Sequence, residues 1–137
     1  DAYGGDLAAR SRFLLEIVSA VQQAVGKDFP LLVKLNGSDN LTGGLDIDDA
    51  LAVAKLLDAA GIAAIEVSSG TPASAEQAPI RRGHESGAEM AYNVVLSRMI
   101  KQQVSCPVIV VGAYAACMSQ RDCSEPSRPI IFLSAVR

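Results

Sequence analysis

No tryptophan, one histidine and three cysteines are all that this 137-residue sequence offers for the usual metal and thiol chemistry. Cys106, Cys117 and Cys123 are odd in number and none stands in C-x-x-C spacing, so neither a disulfide framework nor a zinc site is encoded. A reducing compartment, the cytoplasm, is the expected setting. Long apolar runs are missing too: none approaches the ~20 residues that span a bilayer, and the start has no basic segment leading into an apolar one. No basic run exists either. With 12 basic against 15 acidic side chains and a net charge of −3, the chain has no electrostatic footing on nucleic acid or an anionic membrane.

What is present is apolar content in regular patterns. Half of the residues are hydrophobic, and a chain of this size can bury roughly 68% of its unfolded surface, enough for one domain with a core. The chain opens on Asp1 rather than Met, so a processed chain or a truncated reading frame is expected.

Leu14, Ile17, Val18, Val21 and Val25 recur at spacings of three and four between Leu7 and Val25. This predicts a helix with one apolar stripe, with Arg10, Glu16 and Gln22 facing out and Gly26 as its stop. Leu31 to Leu35, closed by Asn36-Gly37, reads as a strand buried on both faces. Asn40 to Asp46 is a Gly-rich loop in which Gly43-Gly44 serves a turn. Asp46 or Asp48 caps the next helix, which turns Ala50, Leu51, Ala54, Leu57 and Ala60 inward and stops at Gly61.

Ile62 to Val67 is the second strand. Ser68 to Pro72 leaves it as a loop, followed by a polar stretch to about Ser86. A third helix over about Ala88 to Val104 turns Ala91, Val95, Met99 and Ile100 inward, and Val108 to Gly112 is a third continuous apolar strand. Helix and strand alternating with short connections means parallel βα units, hence an α/β fold. Within this frame, Arg81, Arg82 and His84 read as solvated loop residues, and Cys106 as a small buried apolar group. Lys34, alone in an apolar strand, is either a ligand contact or a lysine reaching water along its stem.

Several blocks together carry a resemblance. Asp1-Ala2-Tyr3-Gly4-Gly5 with Arg10 and Arg12 to Glu16, then Val33 to Asp39, Gly43-Gly44, Ala60 to Ile62, Ile65 to Gly70 and Pro107 to Gly112 are similar, in order and spacing, to the Old Yellow Enzyme family. That family consists of FMN-dependent oxidoreductases with NAD(P)H as reductant and an activated alkene or similar small molecule as acceptor. The resemblance implies a partial TIM (β/α)8 barrel, roughly strands five to seven, with FMN at the strand C-terminal face. It assigns cofactor contacts to Lys34, whose cation would face the flavin pyrimidine, and to Gly112 and Ala113, where the family has Gly-Gly approaching the phosphate. Ala113 departs from that pair, and Asp6, Ala8 and Ala9 depart from the family's Ser, Glu and Asn.

The family's substrate-binding His pair, its Tyr proton donor and its first four strands lie upstream of the segment matched by Asp1 to Gly5. No catalytic residue is therefore assigned within the chain, and no metal is expected. After Gly112 the residues part from the family pattern. Pro129 to Arg137, written in compatible codons and read from the third base, spells the family's D-Y-I-S-L-S-R-P. Two segments are expected: 1–112, a partial FMN-binding barrel, and 113–137, a divergent tail from a shifted frame. The alternatives are a catalytically silent partial barrel that self-associates as a homo-oligomer, or a piece of another FMN barrel of the dihydroorotate or tRNA-dihydrouridine reductase kind.

Overall fold

In the computed structural model, residues 1–79 and 92–111 are described together with the backbone of 130–132. Helix α1 spans Leu7–Val25. Asp6, where the family pattern has Ser, caps it by accepting the Ala9 N–H at 2.8 Å. Gly26 closes it with φ +87° and an N–H to the Gln22 carbonyl, a left-handed exit that glycine makes without strain. The apolar stripe is narrower than its spacing predicts. Val18 is buried, but Ile17 and Val25 stand exposed, and Gln22, expected to face out, is half-buried and donates to the Ala60 carbonyl at 2.8 Å. One neighbouring helix covers only part of a helix face, so part of the apolar surface is left to solvent.

Strand β1 is Leu32–Asn36, and α2, Ile47–Ala59, follows it. Of the two candidate caps, Asp46 does the work, accepting the Asp49 N–H at 2.9 Å. Ala50, Ala54 and Leu57 are fully buried as the periodicity predicts, and Val53 joins them. Strand β2 is Ala64–Ser68. The segment after it, expected as loop, makes 3-10 turns over Pro72–Gln77, started by a reciprocal cap between Thr71 and Ser74. Helix α3 is Val94–Lys101 and β3 is Val108–Val110.

On α3 the expected inward set is corrected. Ile100 is buried, but Val95 is 65% exposed, while Ser97 and Lys101 are buried because each has hydrogen-bond partners there. Ala91, together with Arg81, Arg82, His84, Cys117 and Cys123, lies outside the described residues.

A fourth strand, β4 (Ile130–Phe132), makes the sheet one strand wider than the sequence reading had it. The order β1-β2-β3-β4 is parallel throughout, each strand paired with the next in sequence. Val33, Leu35, Ile65, Val67 and Val108 point to the helices and meet Val18, Val53, Leu57 and Ile100 in one core. Full burial of each such side chain stabilises by about 1.5–3 kcal/mol. The opposite face corrects a second expectation. β1 is not buried on both sides: Leu32 is 50% exposed and Lys34 stands out beside it, although Ala64 and Ile109 on the same face of the neighbouring strands are buried.

Candidate functional site

Side-chain alternation puts Leu32, Lys34 and Asn36 on the open face of β1. The parallel register sets Lys34 opposite Glu66 on β2 and Asn36 opposite Ser68. Lys34 Nζ donates to Glu66 Oε1 at 2.6 Å, with the lysine side chain 61% exposed. An ion pair this open contributes at most about 1 kcal/mol, so its main effect is to hold the ammonium over the sheet. The sequence reading singled out Lys34 and missed its partner. The signal was present, since Lys34 and Glu66 are each the third residue of a five-residue strand.

Just beyond this pair, at the C-terminal ends of the strands, a network of Asn36, Ser68 and the Asp39 carboxylate takes over. Ser68 Oγ donates to Asn36 Oδ1 at 2.6 Å, and Asn36 Nδ2 donates to Asp39 Oδ1 and to the Gly70 carbonyl, each at 3.0 Å. Asp39 also accepts the Leu45 N–H at 3.0 Å, and Ser74 Oγ donates to the Asp39 carbonyl at 2.6 Å. The loops after β1 and β2 are thereby tied into one rim. Gly70 sits within it at φ +80°, where a Cβ would lie 2.1 Å from the Gln77 carbonyl oxygen. Only glycine fits a left-handed backbone so close to another chain segment. Gly37, at the exit of β1, is held against Leu96, whose Cβ would lie 2.9 Å from an added one.

A second buried group bridges β2 and β3. Asn93 Oδ1 accepts from Ser69 Oγ, and Asn93 Nδ2 donates to the Val111 carbonyl, both at 2.6 Å. Sequence periodicity gave no hint of it, because a polar residue at the start of a helix normally signals a solvent-facing cap. Of the other cofactor positions expected from the sequence, Gly112 and Ala113 lie outside the described residues.

The N-terminal end of β3 is built differently. Asp58, on the last turn of α2, accepts from the backbone N–H of Ser105 and Cys106 at 2.9 Å and from Ser105 Oγ. Burial pushes its carboxyl up, but those hydrogen bonds together outweigh burial and hold it below the usual carboxylate value. Lys101, buried, donates to the carbonyls of Ser105 and Cys106 at 3.1 and 2.7 Å. Burial first, and Asp58 second, pushes the Cys106 thiol up to about 11, which agrees with its reading as an inert apolar group. Among the described residues no cluster of three or more His, Cys, Asp or Glu is placed to hold a metal, and no helix is long and apolar enough to cross a membrane.

A parallel βα sheet with its polar side chains gathered at the strand C-terminal ends is a piece of an α/β enzyme layout. The comparisons agree. The backbone matches a solved 2-naphthoyl-CoA reductase in complex with 2-naphthoyl-CoA, with a TM-score of 0.71 and 25% identity over 98% of this chain and 20% of that one. The chain belongs to the NADH:flavin oxidoreductase / NADH oxidase family, a TIM-barrel family whose model matches residues 1–134, a match that runs past Gly112. Among its relatives are an NADH oxidase of Thermoanaerobacter brockii, 35% identical over 82% of this chain, and a metal reductase of Desulforamulus reducens, 38% identical over 80%. An NADPH dehydrogenase of Bacillus pumilus is 46% identical over 51% of the chain. The chain spans 17%, 16% and 20% of the length of these three relatives.

Proposed function

We propose that these residues form the cofactor-facing part of an FMN-dependent oxidoreductase that takes hydride from NAD(P)H and reduces an activated alkene or similar small molecule. In this reading β1, β2 and β3 are strands five to seven of the barrel. The observation that carries it is the Lys34 ammonium, exposed on the sheet face two residues before Asn36 of the C-terminal rim. The described side chains fit one part of a flavin. They offer an exposed cation on the sheet face, steadied by Glu66, whereas the rim groups of Asn36, Ser68 and Asp39 are occupied with one another. Lys34 would hold the pyrimidine edge of the ring, and Gly112 with Ala113 the phosphate. When bound, FMN supplies the hydride chemistry, which no side chain here can perform.

The family match favours this reading over the dihydroorotate and tRNA-dihydrouridine reductase kinds. Its setting would be the cytoplasm. For these 137 residues alone, FMN affinity falls far below that of an intact barrel. Several charge-assisted contacts at about 1.5–3 kcal/mol each are missing, which moves a micromolar site to about the millimolar range or beyond. Flavin polarisation with increasing protein tests it: weak saturable binding supports the reading, no binding at any protein concentration refutes it, and micromolar binding refutes the expected weakness. The segment boundary at Gly112 and the shifted frame beyond it are tested by sequencing the encoding DNA. A family-like continuation in the third frame supports them, and its absence refutes them.

A second reading is favoured by the uncovered sheet face around Leu32 and by β1, which among the described strands pairs only with β2. An apolar face and an open edge of this kind favour self-association. Light scattering behind size exclusion checks it, and a monodisperse monomer near 14.3 kDa would contradict it.

A further inference from the structure

We infer that Asn93 is a positioning residue for the phosphate end of the bound cofactor, acting through the peptide that leaves β3. The inference rests on the flavin reading above and adds to it a residue which that reading does not use. Asn93 stands at the cap position of α3 and is only 2% exposed, yet its side chain makes no capping hydrogen bond. Asparagine at that position ordinarily accepts an N–H of the first helical turn. Here the amide turns away from its own helix and spans two strands. It accepts from Ser69 Oγ, itself 1% exposed, and donates to the Val111 carbonyl, both at 2.6 Å.

The sheet holds that point loosely by comparison. Val111 N–H reaches the Val67 carbonyl at 3.4 Å, so the side-chain bond from Asn93 is the shorter restraint on this residue. Asn93 thus restrains the Val111 carbonyl, at the exit of β3, from outside the sheet. In β/α barrels the loops after the seventh and eighth strands frequently form the phosphate site. A buried amide that holds the Val111 carbonyl is therefore placed to position the exit of β3 for a phosphate, without touching it. Ser97 Oγ, donating to the Asn93 carbonyl at 2.7 Å, steadies the residue from the helix side.

The test compares FMN with riboflavin, which lacks only the phosphate. A trace of each flavin is titrated with increasing amounts of the full chain and followed by fluorescence polarisation, for the wild type, Asn93→Ala and Ser69→Ala. The wild type is expected to prefer FMN. In Asn93→Ala, FMN affinity falls roughly tenfold, the equivalent of one well-placed hydrogen bond, while riboflavin affinity stays within about twofold. Ser69→Ala shifts the same ratio in the same direction by less, and decides the matter if Asn93→Ala does not fold. Equal weakening of both flavins, or an unchanged ratio in the folded variants, would show a merely structural role and overturn the inference. A wild type that binds neither flavin overturns the flavin reading itself, and this inference with it.

Discussion

Where β3 begins, charged side chains from two helices hold the chain: Asp58 takes two backbone N–H groups and Lys101 takes two carbonyls. Where the strands end, the same task falls mainly to amides and hydroxyls, with Asn36, Ser68, Ser69 and Asn93 bridging between strands and loops and the Asp39 carboxylate joining them. The difference follows from what each end must leave free. A buried lysine and a carboxylate clamp the strand entrance, whereas at the exit amides, hydroxyls and the Asp39 carboxylate satisfy one another and the backbone, and the exposed Lys34–Glu66 pair stands beside them on the sheet face. In barrels of this kind the entrance side serves stability and the exit side serves function.

The largest effect expected from breaking this arrangement is at Gly70. Gly70→Ala places a Cβ in a left-handed backbone and within 2.1 Å of the Gln77 carbonyl oxygen. A loss of at least about 3 kcal/mol is expected, read as a collapse of the urea midpoint.

Asp58→Asn comes next. It replaces a carboxylate that accepts from Ser105 and Cys106 with an amide able to satisfy fewer of them, at about 1–3 kcal/mol. The pH dependence sharpens this. Because Asp58 has a lower pKa folded than unfolded, its contribution is present above the unfolded value near ~3.9 and is lost as pH falls through the folded one. Urea unfolding across the acid range will show a steeper loss in the wild type than in Asp58→Asn.

Cys106 offers a smaller, kinetic effect. With its thiol pushed up to about 11, the residue will resist alkylation in the folded state near pH 8 and react only as the protein unfolds. A thiol assay on a chain with Cys117 and Cys123 changed to Ser reads this directly, and rapid labelling without denaturant would contradict it.

The alternation of helix and strand, the caps at Gly26 and Asp46 and the buried stripe of α2 were legible in the sequence, because each is a local pattern with its own period or turn chemistry. The uncovered side of β1 was not. A run such as Leu31 to Leu35 reads as doubly buried whether or not another layer covers it, and Leu32, half exposed, shows that here this side of β1 is open. The candidate site divides in the same way. Lys34 stood out as a charge in an apolar strand, while Glu66, Asn93 and Ser69 acquire meaning only from strand register and from contacts across 24 or 32 residues of chain. Val95 was read as inward because the period of α3 is helical, yet the buried positions on that helix go to Ser97, Ile100 and Lys101. Hydrogen-bond partners, the Asn93 carbonyl for Ser97 and the approach to β3 for Lys101, are what the hydrophobic pattern cannot anticipate.

The smallest stability effect should come from Lys34→Ala, below about 1 kcal/mol because its ion pair with Glu66 is open to solvent. That makes it the sharpest contrast to Asp58→Asn, and the FMN affinities of these two variants, measured side by side by polarisation, address the division of labour most directly. Asp58→Asn should lose stability and, under conditions where it remains folded, keep the wild-type FMN affinity; Lys34→Ala should stay stable and lose about tenfold in FMN affinity, the equivalent of one charge-assisted contact. FMN affinity unchanged in Lys34→Ala, or lost equally in both folded variants, would contradict the assignment of the exit side of the sheet to the flavin.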